Sequence, residues 1–90
     1  MKKAFAAAEE LAEKLALPED ALLNSMKISL TGDRRVFIEN HKGILEYSPD
    51  RIVVAGKRGR LGINGAELSL LAMNGAELAI VGRIRGVEWE

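Results

Sequence analysis

His41, the chain's one histidine, stands in the run Ile38-Glu39-Asn40-His41-Lys42-Gly43-Ile44, two residues from the carboxylate of Glu39. An imidazole beside a carboxylate is a pairing that general acid–base chemistry uses, but catalysis also needs a pocket and a nucleophile or metal, and neither is indicated. There is no cysteine, and one histidine with scattered carboxylates falls short of the roughly four nitrogen, sulfur or oxygen ligands that zinc takes. The residue types therefore predict a turn or surface histidine, and no enzyme, metal or cofactor. A binding role is the other chemistry open to this segment. Glu39, Asn40, His41, Lys42 and Gly43 form a polar turn that a small ligand or regulatory module could use.

Lys57-Arg58-Gly59-Arg60 is the densest basic segment, and it reads as a solvated hairpin tip. Gly56, Gly59 and Gly62 are not followed by a helical pattern, and no Gly-Lys-Ser or Gly-Lys-Thr is present, so a phosphate loop is excluded. The strand carboxylates Glu39, Glu46, Glu67 and Glu77 have no evident common cleft. Thirteen basic residues balance thirteen acidic ones, and the aromatics are Phe5, Phe37, Tyr47 and Trp89 alone. Nucleic acid is thus not expected as a partner, for want of both a long-range field and a stacking ladder.

The elements that position these residues change character along the chain. Residues 3–17 are strong helix formers with Phe5, Ala8, Ala12 and Leu15 on one stripe, and Pro18 ends the pattern. This thin apolar face, with Phe5, Leu11 and Leu15 as its large side chains, suits packing on the chain's own sheet or on a partner. Glu9, Glu10 and Glu13 exclude a secretion signal, and no window approaches the roughly 20 apolar residues of a membrane span. A cytoplasmic chain without a transmembrane segment of its own is the expectation.

From Met26 onward the period falls to about 2, with turn residues at short intervals. Strands are predicted at 27–31, 35–40, 44–48, 51–55, 60–63, 67–73 and 77–89, the last bent at Gly82 and Gly86. The short links favour antiparallel neighbours. The fold class is mainly β: an N-terminal helical segment over 1–25, then a β domain over 26–90 forming an antiparallel meander curled into a small sandwich or open barrel. Asn64-Gly65-Ala66-Glu67-Leu68 returns as Asn74-Gly75-Ala76-Glu77-Leu78, which admits a short β-solenoid as the alternative. Strands such as 51–55 are apolar on both sides, so the sheet must curl on itself, lie under the helix, or meet another copy in a homo-oligomer.

Two stretches carry a family resemblance. Leu15-Ala16-Leu17-Pro18-Glu19-Asp20 leads to Ile28-Ser29-Leu30-Thr31-Gly32, and then comes Val36-Phe37-Ile38-Glu39-Asn40-His41-Lys42-Gly43-Ile44-Leu45-Glu46-Tyr47. With the closing Ile80-Val81-Gly82-Arg83-Ile84-Arg85-Gly86-Val87, the chain resembles the YabP/YqfC family of sporulation proteins, nearer the YqfC branch, over nearly its whole length. It departs from the family in having Ser25-Met26 where a proline often precedes the first strand. The resemblance implies a non-enzymatic role in endospore formation, production in the mother cell, and a place at the periphery of the forespore membrane. It also implies a protein partner, a membrane-anchored YqfD-like sporulation protein, and it supplies no catalytic residues.

Overall fold

The computed structural model describes residues 25–90. The helical segment expected over 1–25, with Phe5, Leu11 and Leu15, lies outside the described residues apart from Ser25. The rest is β structure: β1 (Lys27–Thr31), β2 (Arg35–Glu39), β3 (Ile44–Tyr47), β4 (Arg51–Ala55), β5 (Arg60–Met73) and β6 (Glu77–Trp89). All pairings are antiparallel, in the order β1-β2-β6-β5-β4-β3. The tight turns follow local chemistry. Gly32 takes φ 56° between β1 and β2, and the Ser48 hydroxyl accepts the Arg51 N–H at 3.0 Å between β3 and β4.

The sequence predicts two strands on either side of an Asn64-Gly65 turn, whereas the structure has one strand of 14 residues there. Register explains the difference. Asn64 pairs with Gly86 and Gly65 with Ile84, so Arg85 is bulged out of β6; further on, Glu67 and Leu68 together face Gly82. Glu67 (φ 54°) and Gly82 (φ 145°) absorb that second bulge. A Cβ on Gly65 would overlap the Arg83 carbonyl oxygen, and one on Gly82 would lie 2.7 Å from the Glu67 carbonyl oxygen. These glycines let the two long strands approach and bend together; they do not end a strand.

The bend divides the sheet into two halves. Along β6 only residues 77–81 pair with β2, and along β5 only residues 60–64 pair with β4. One half contributes Val36, Ile38, Leu78 and Ile80 to the core, and the other Ile52, Val54, Leu61 and Ile63, all 0 to 1% exposed. Leu68 joins the same cluster from the bend. By register each set lies on one face of its half, so the two apolar faces are folded onto each other. Truncating a side chain such as Ile38 or Ile63 to alanine removes about 2–5 kcal/mol of stability in a core of this kind.

Two sequence expectations are corrected by this topology. The strands are not a simple meander, because β2 lies beside β6 and not beside β3. A solenoid is excluded, since the ten-residue repeat falls once inside β5 and once at the β5–β6 turn. Nor does the sheet close into a barrel: β1 and β3 remain its edges. Because β5 and β6 each outrun their partners, residues 69–73 of β5 and 83–89 of β6 also lack a strand on one side.

Candidate functional site

The segment singled out by its residue types is the link from β2 to β3. Short links favour adjacent strands, yet residues 40–43 run from one half of the sheet to the other. Four extended residues reach at most about 14 Å, enough for the roughly 10 Å between packed sheets. Backbone bonds fix both ends. Asn40 N–H donates to Ala76 O at 2.7 Å in the first half; Lys42 N–H donates to Ala55 O at 2.7 Å and Ala55 N–H to Gly43 O at 2.8 Å in the second. Asn40 at φ 65° and Gly43 at φ 120° make the two corners, positions suited to asparagine and glycine.

His41 fills the middle of this link and is 3% exposed, so the expected surface position is corrected to a buried one. Gly43 N–H donates to Nδ1 at 2.9 Å, which leaves Nδ1 without a proton; Nε2 then carries it and donates to Asn74 O at 2.9 Å. Both ring nitrogens are thus engaged by backbone. Glu39 does not reach the ring and instead lies 3.9 Å from Lys27 Nζ, while the Asn40 amide donates to Ser25 O at 3.1 Å. Lys42 is exposed. The segment is a structural tie in which both nitrogens of the imidazole are held by backbone. No group of three or more His, Asp or Glu able to hold a metal occurs among the described residues.

A second polar centre, which the residue types did not reveal, is Arg51. Its Nε donates to Glu46 Oε2 at 2.9 Å, its Nη1 to Asn64 Oδ1 at 2.9 Å, and its Nη2 to Glu90 Oε2; Glu88 Oε1 lies 3.8 Å from Nη1. The guanidinium lies over Gly62, where a Cβ would come within 3.2 Å of Nη1. In the same cross-strand row sits Val53, buried on the outer face. An ion-pair lattice thus accounts for an apolar residue on the side away from the core. The hydrogen bond to Glu90, followed by the charges of Glu90 and Glu46, holds the Arg51 proton more tightly than usual. The sequence signal is a diagonal one: across a short hairpin, Glu46 and Arg51 point to the same face. Of the remaining strand carboxylates, Glu39 and Glu77 are direct cross-strand partners on β2 and β6, and Glu77 accepts from the Asn74 amide at 3.3 Å.

The basic segment 57–60 is a hairpin tip, closed by Gly56 N–H donating to Gly59 O at 2.8 Å with Lys57 and Arg58 exposed. No helix among the described residues is long and apolar enough to cross a membrane.

Comparison with known proteins agrees with the resemblance. Residues 23–90 match the model of the YabP family. The Uncharacterized protein YqfC of Bacillus subtilis (strain 168) is 28% identical over 79 residues, covering 88% of this chain and 85% of that protein. No solved structure matches. The matched region takes in all six strands and the His41 link.

Proposed function

Because this chain belongs to the YabP family, we propose that it is a non-enzymatic protein of endospore formation, a soluble accessory or structural component of a membrane-associated complex in the mother cell. One observation carries the reading. The exposed large apolar side chains among the described residues are Leu30, Leu45, Tyr47, Leu71, Met73 and Trp89, and each lies on a stretch of strand that has no neighbour on one side. Leu30 is on the edge strand β1, Leu45 and Tyr47 on the edge strand β3, Leu71 and Met73 on the outrunning part of β5, and Trp89 on that of β6. Open edges with apolar side chains are where another chain gains both backbone bonds and buried area.

The polar groups fit the same reading. His41 and Arg51, the two residues most suited to chemistry, are engaged in holding the fold. Docking on the membrane-anchored, YqfD-like partner that the resemblance implies, or on further copies of the chain, would use the edges. The test is co-purification of a tagged chain from sporulating cells, with a deletion strain beside it. An envelope protein recovered by the wild type and lost when Tyr47, Leu71 and Met73 are replaced by serine is the expected result. Recovery of no envelope partner together with normal sporulation after deletion overturns the proposal.

A further inference from the structure

Two of the exposed apolar side chains lie on the faces that make the core. Leu30 of β1 pairs with Val36, two residues on from the Ile28–Ile38 pair, and Trp89 of β6 pairs with Leu61, two residues on from the Val87–Ile63 pair. Val36 and Leu61 are fully buried, yet Leu30 is 56% and Trp89 62% exposed. The two strands flank one opening of the folded sheet. In the turn that ends β1, the carbonyl oxygens of Asp33 and Arg34 accept the Ile84 N–H at 2.6 Å and the Gly82 N–H at 3.1 Å, where the unpaired stretch of β6 begins. Just before β1, Met26 packs on the core beside the β4–β5 hairpin, its Cε 3.0 Å from where a Cβ on Gly56 would stand. Met26, Ile28, Ile84 and Val87 are partly buried against the one core cluster. Leu30 and Trp89 extend this apolar floor, and no described strand covers it.

The chain carries a segment of fitting length that joins this opening directly. Residues 1–24 lead into Ser25, whose carbonyl oxygen accepts the Asn40 amide at 3.1 Å, so the segment departs from the start of β1 itself. Its stripe of Phe5, Ala8, Ala12 and Leu15, with Leu11 beside it, is followed by Pro18. As a helix, residues 3–17 measure about 22 Å, against about 17 Å for β1. Residues 18–24 reach up to about 24 Å, enough to turn a helix back along the strand. We propose that residues 3–17 dock as a helix over the opening between β1 and residues 84–89 of β6, with the Phe5–Leu15 stripe on Leu30 and Trp89. Ala8 and Ala12 allow the helix to approach the floor closely, and the large side chains supply the apolar area. A helix this short is marginal in water without a surface to pack on, so its formation and its docking are one event. The inference goes beyond the partner docking proposed above, which keeps the edges that carry Tyr47, Leu71 and Met73, and either can fail without the other.

Trp89 is the chain's one tryptophan, so its fluorescence in the full chain reports the cover directly. The wild type is expected to emit to the blue of a free indole and to resist quenching by acrylamide, equally at 1 and 100 μM protein. In F5S/L11S/L15S the emission should move to the red, acrylamide quenching should rise by about twofold or more, and the far-ultraviolet circular dichroism should lose its helical component. Leu30→Asp alters the floor and leaves the segment intact, and it should produce the same changes; it decides the matter should the triple variant not fold. Leu71→Asp, on the open edge of β5, should produce none of them. A wild-type Trp89 open to acrylamide overturns the proposal, including the case where phosphatidylglycerol vesicles or an added partner protein then shield it. So does shielding lost on dilution, which would make a second copy the cover, or shielding that survives both F5S/L11S/L15S and L30D.

Discussion

His41 Nε2 donates to the carbonyl oxygen of Asn74 across 33 positions of sequence, at 2.9 Å, while its Nδ1 receives the N–H of Gly43 two residues ahead. One ring thereby joins the β5–β6 turn to the link between the sheet halves. Replacement by alanine leaves a donor and an acceptor unpaired in a buried site and opens a void of ring size, a combined cost of about 2–4 kcal/mol. In a domain this small that lowers the melting temperature by roughly 10–25 °C. Thermal and urea denaturation of His41→Ala measure it. A loss below 1 kcal/mol would mean that water replaces both bonds and that the ring is not a tie.

Gly82 and Gly86 lie four residues apart on β6 and should answer oppositely to alanine. At Gly82 the backbone has φ 145° and the new Cβ would lie 2.7 Å from Glu67 O and 2.9 Å from the Leu68 Cα. At Gly86 nothing stands within 4 Å. Gly82→Ala is expected to cost about 3 kcal/mol or more, whereas Gly86→Ala stays within about 0.5 kcal/mol of wild type. Equilibrium urea unfolding of the two variants separates them, and equal effects would show that β6 does not bend at Gly82.

These glycines also mark where sequence reasoning stopped. The bounds of β1, β4 and β6 were legible because β-branched alternation ends there at glycine, proline or asparagine, which are local signals. Asn64-Gly65 carries the same signal as Asn74-Gly75, but its glycine is needed for the close approach of the Arg83 carbonyl, a partner eighteen residues on that no local pattern announces. Residues 41–43 were legible as a break, and the crossing of 40–43 between halves was not, because the preference of β2 for β6 over β3 is a tertiary choice. The burial of His41 follows from that crossing and was equally hidden. The role of Arg51 escaped because its partners Glu46, Asn64, Glu88 and Glu90 converge only once β3, β4, β5 and β6 are side by side.

Arg51→Met should destabilise the chain in a way that responds to salt and not to pH near neutrality. The folded-state pKa of Arg51 is raised, first by its hydrogen bond to Glu90. A raised value stabilises fully below the ordinary arginine pKa and is lost only as pH climbs through the folded one, so the arginine's contribution is constant between pH 7 and 9. Without it, Glu46, Glu88 and Glu90 face one another with no cation between them. The stability difference from wild type is therefore expected to be equal at pH 7 and pH 9 and to shrink in 1 M NaCl. A difference unchanged by salt would assign the effect to the lost cover over Gly62 and Val53.

Tyr47 tests how the open edge of β5 is guarded. Its hydroxyl accepts the Leu70 N–H at 3.1 Å, so a side chain of one edge strand caps a backbone donor of the opposite half. Tyr47→Phe removes the acceptor and exposes that donor to water. Stability should fall by no more than about 1 kcal/mol, since the freed N–H finds solvent. The sensitive readout is hydrogen exchange: the Leu70 amide should exchange at least tenfold faster while the core amides of Ile63 and Ile80 are little changed. Unaltered exchange at Leu70 would show that the tyrosine does not hold this edge.

The repeated pentapeptide gives the most direct comparison of one sequence in two structural settings. At the β5–β6 turn, Asn74 Oδ1 accepts the N–H groups of Ala76 at 2.9 Å and Glu77 at 2.7 Å, and a Cβ on Gly75 would meet nothing within 4 Å. Inside β5, Asn64 Oδ1 instead accepts from Arg51, and Gly65 has no room for a Cβ. The asparagine therefore matters more at position 74 and the glycine more at position 65. Asn74→Ala is expected to cost about 1–2 kcal/mol by stripping the turn of its two side-chain bonds, and Asn64→Ala less. For the glycines the order reverses: Gly75→Ala should be close to neutral, while Gly65→Ala should cost about 3 kcal/mol or prevent folding. Chemical denaturation of the four single variants, with circular dichroism to confirm folding, reads both orders. Parallel effects at the two copies would mean that they serve the same structural purpose, which the register of β5 against β6 contradicts.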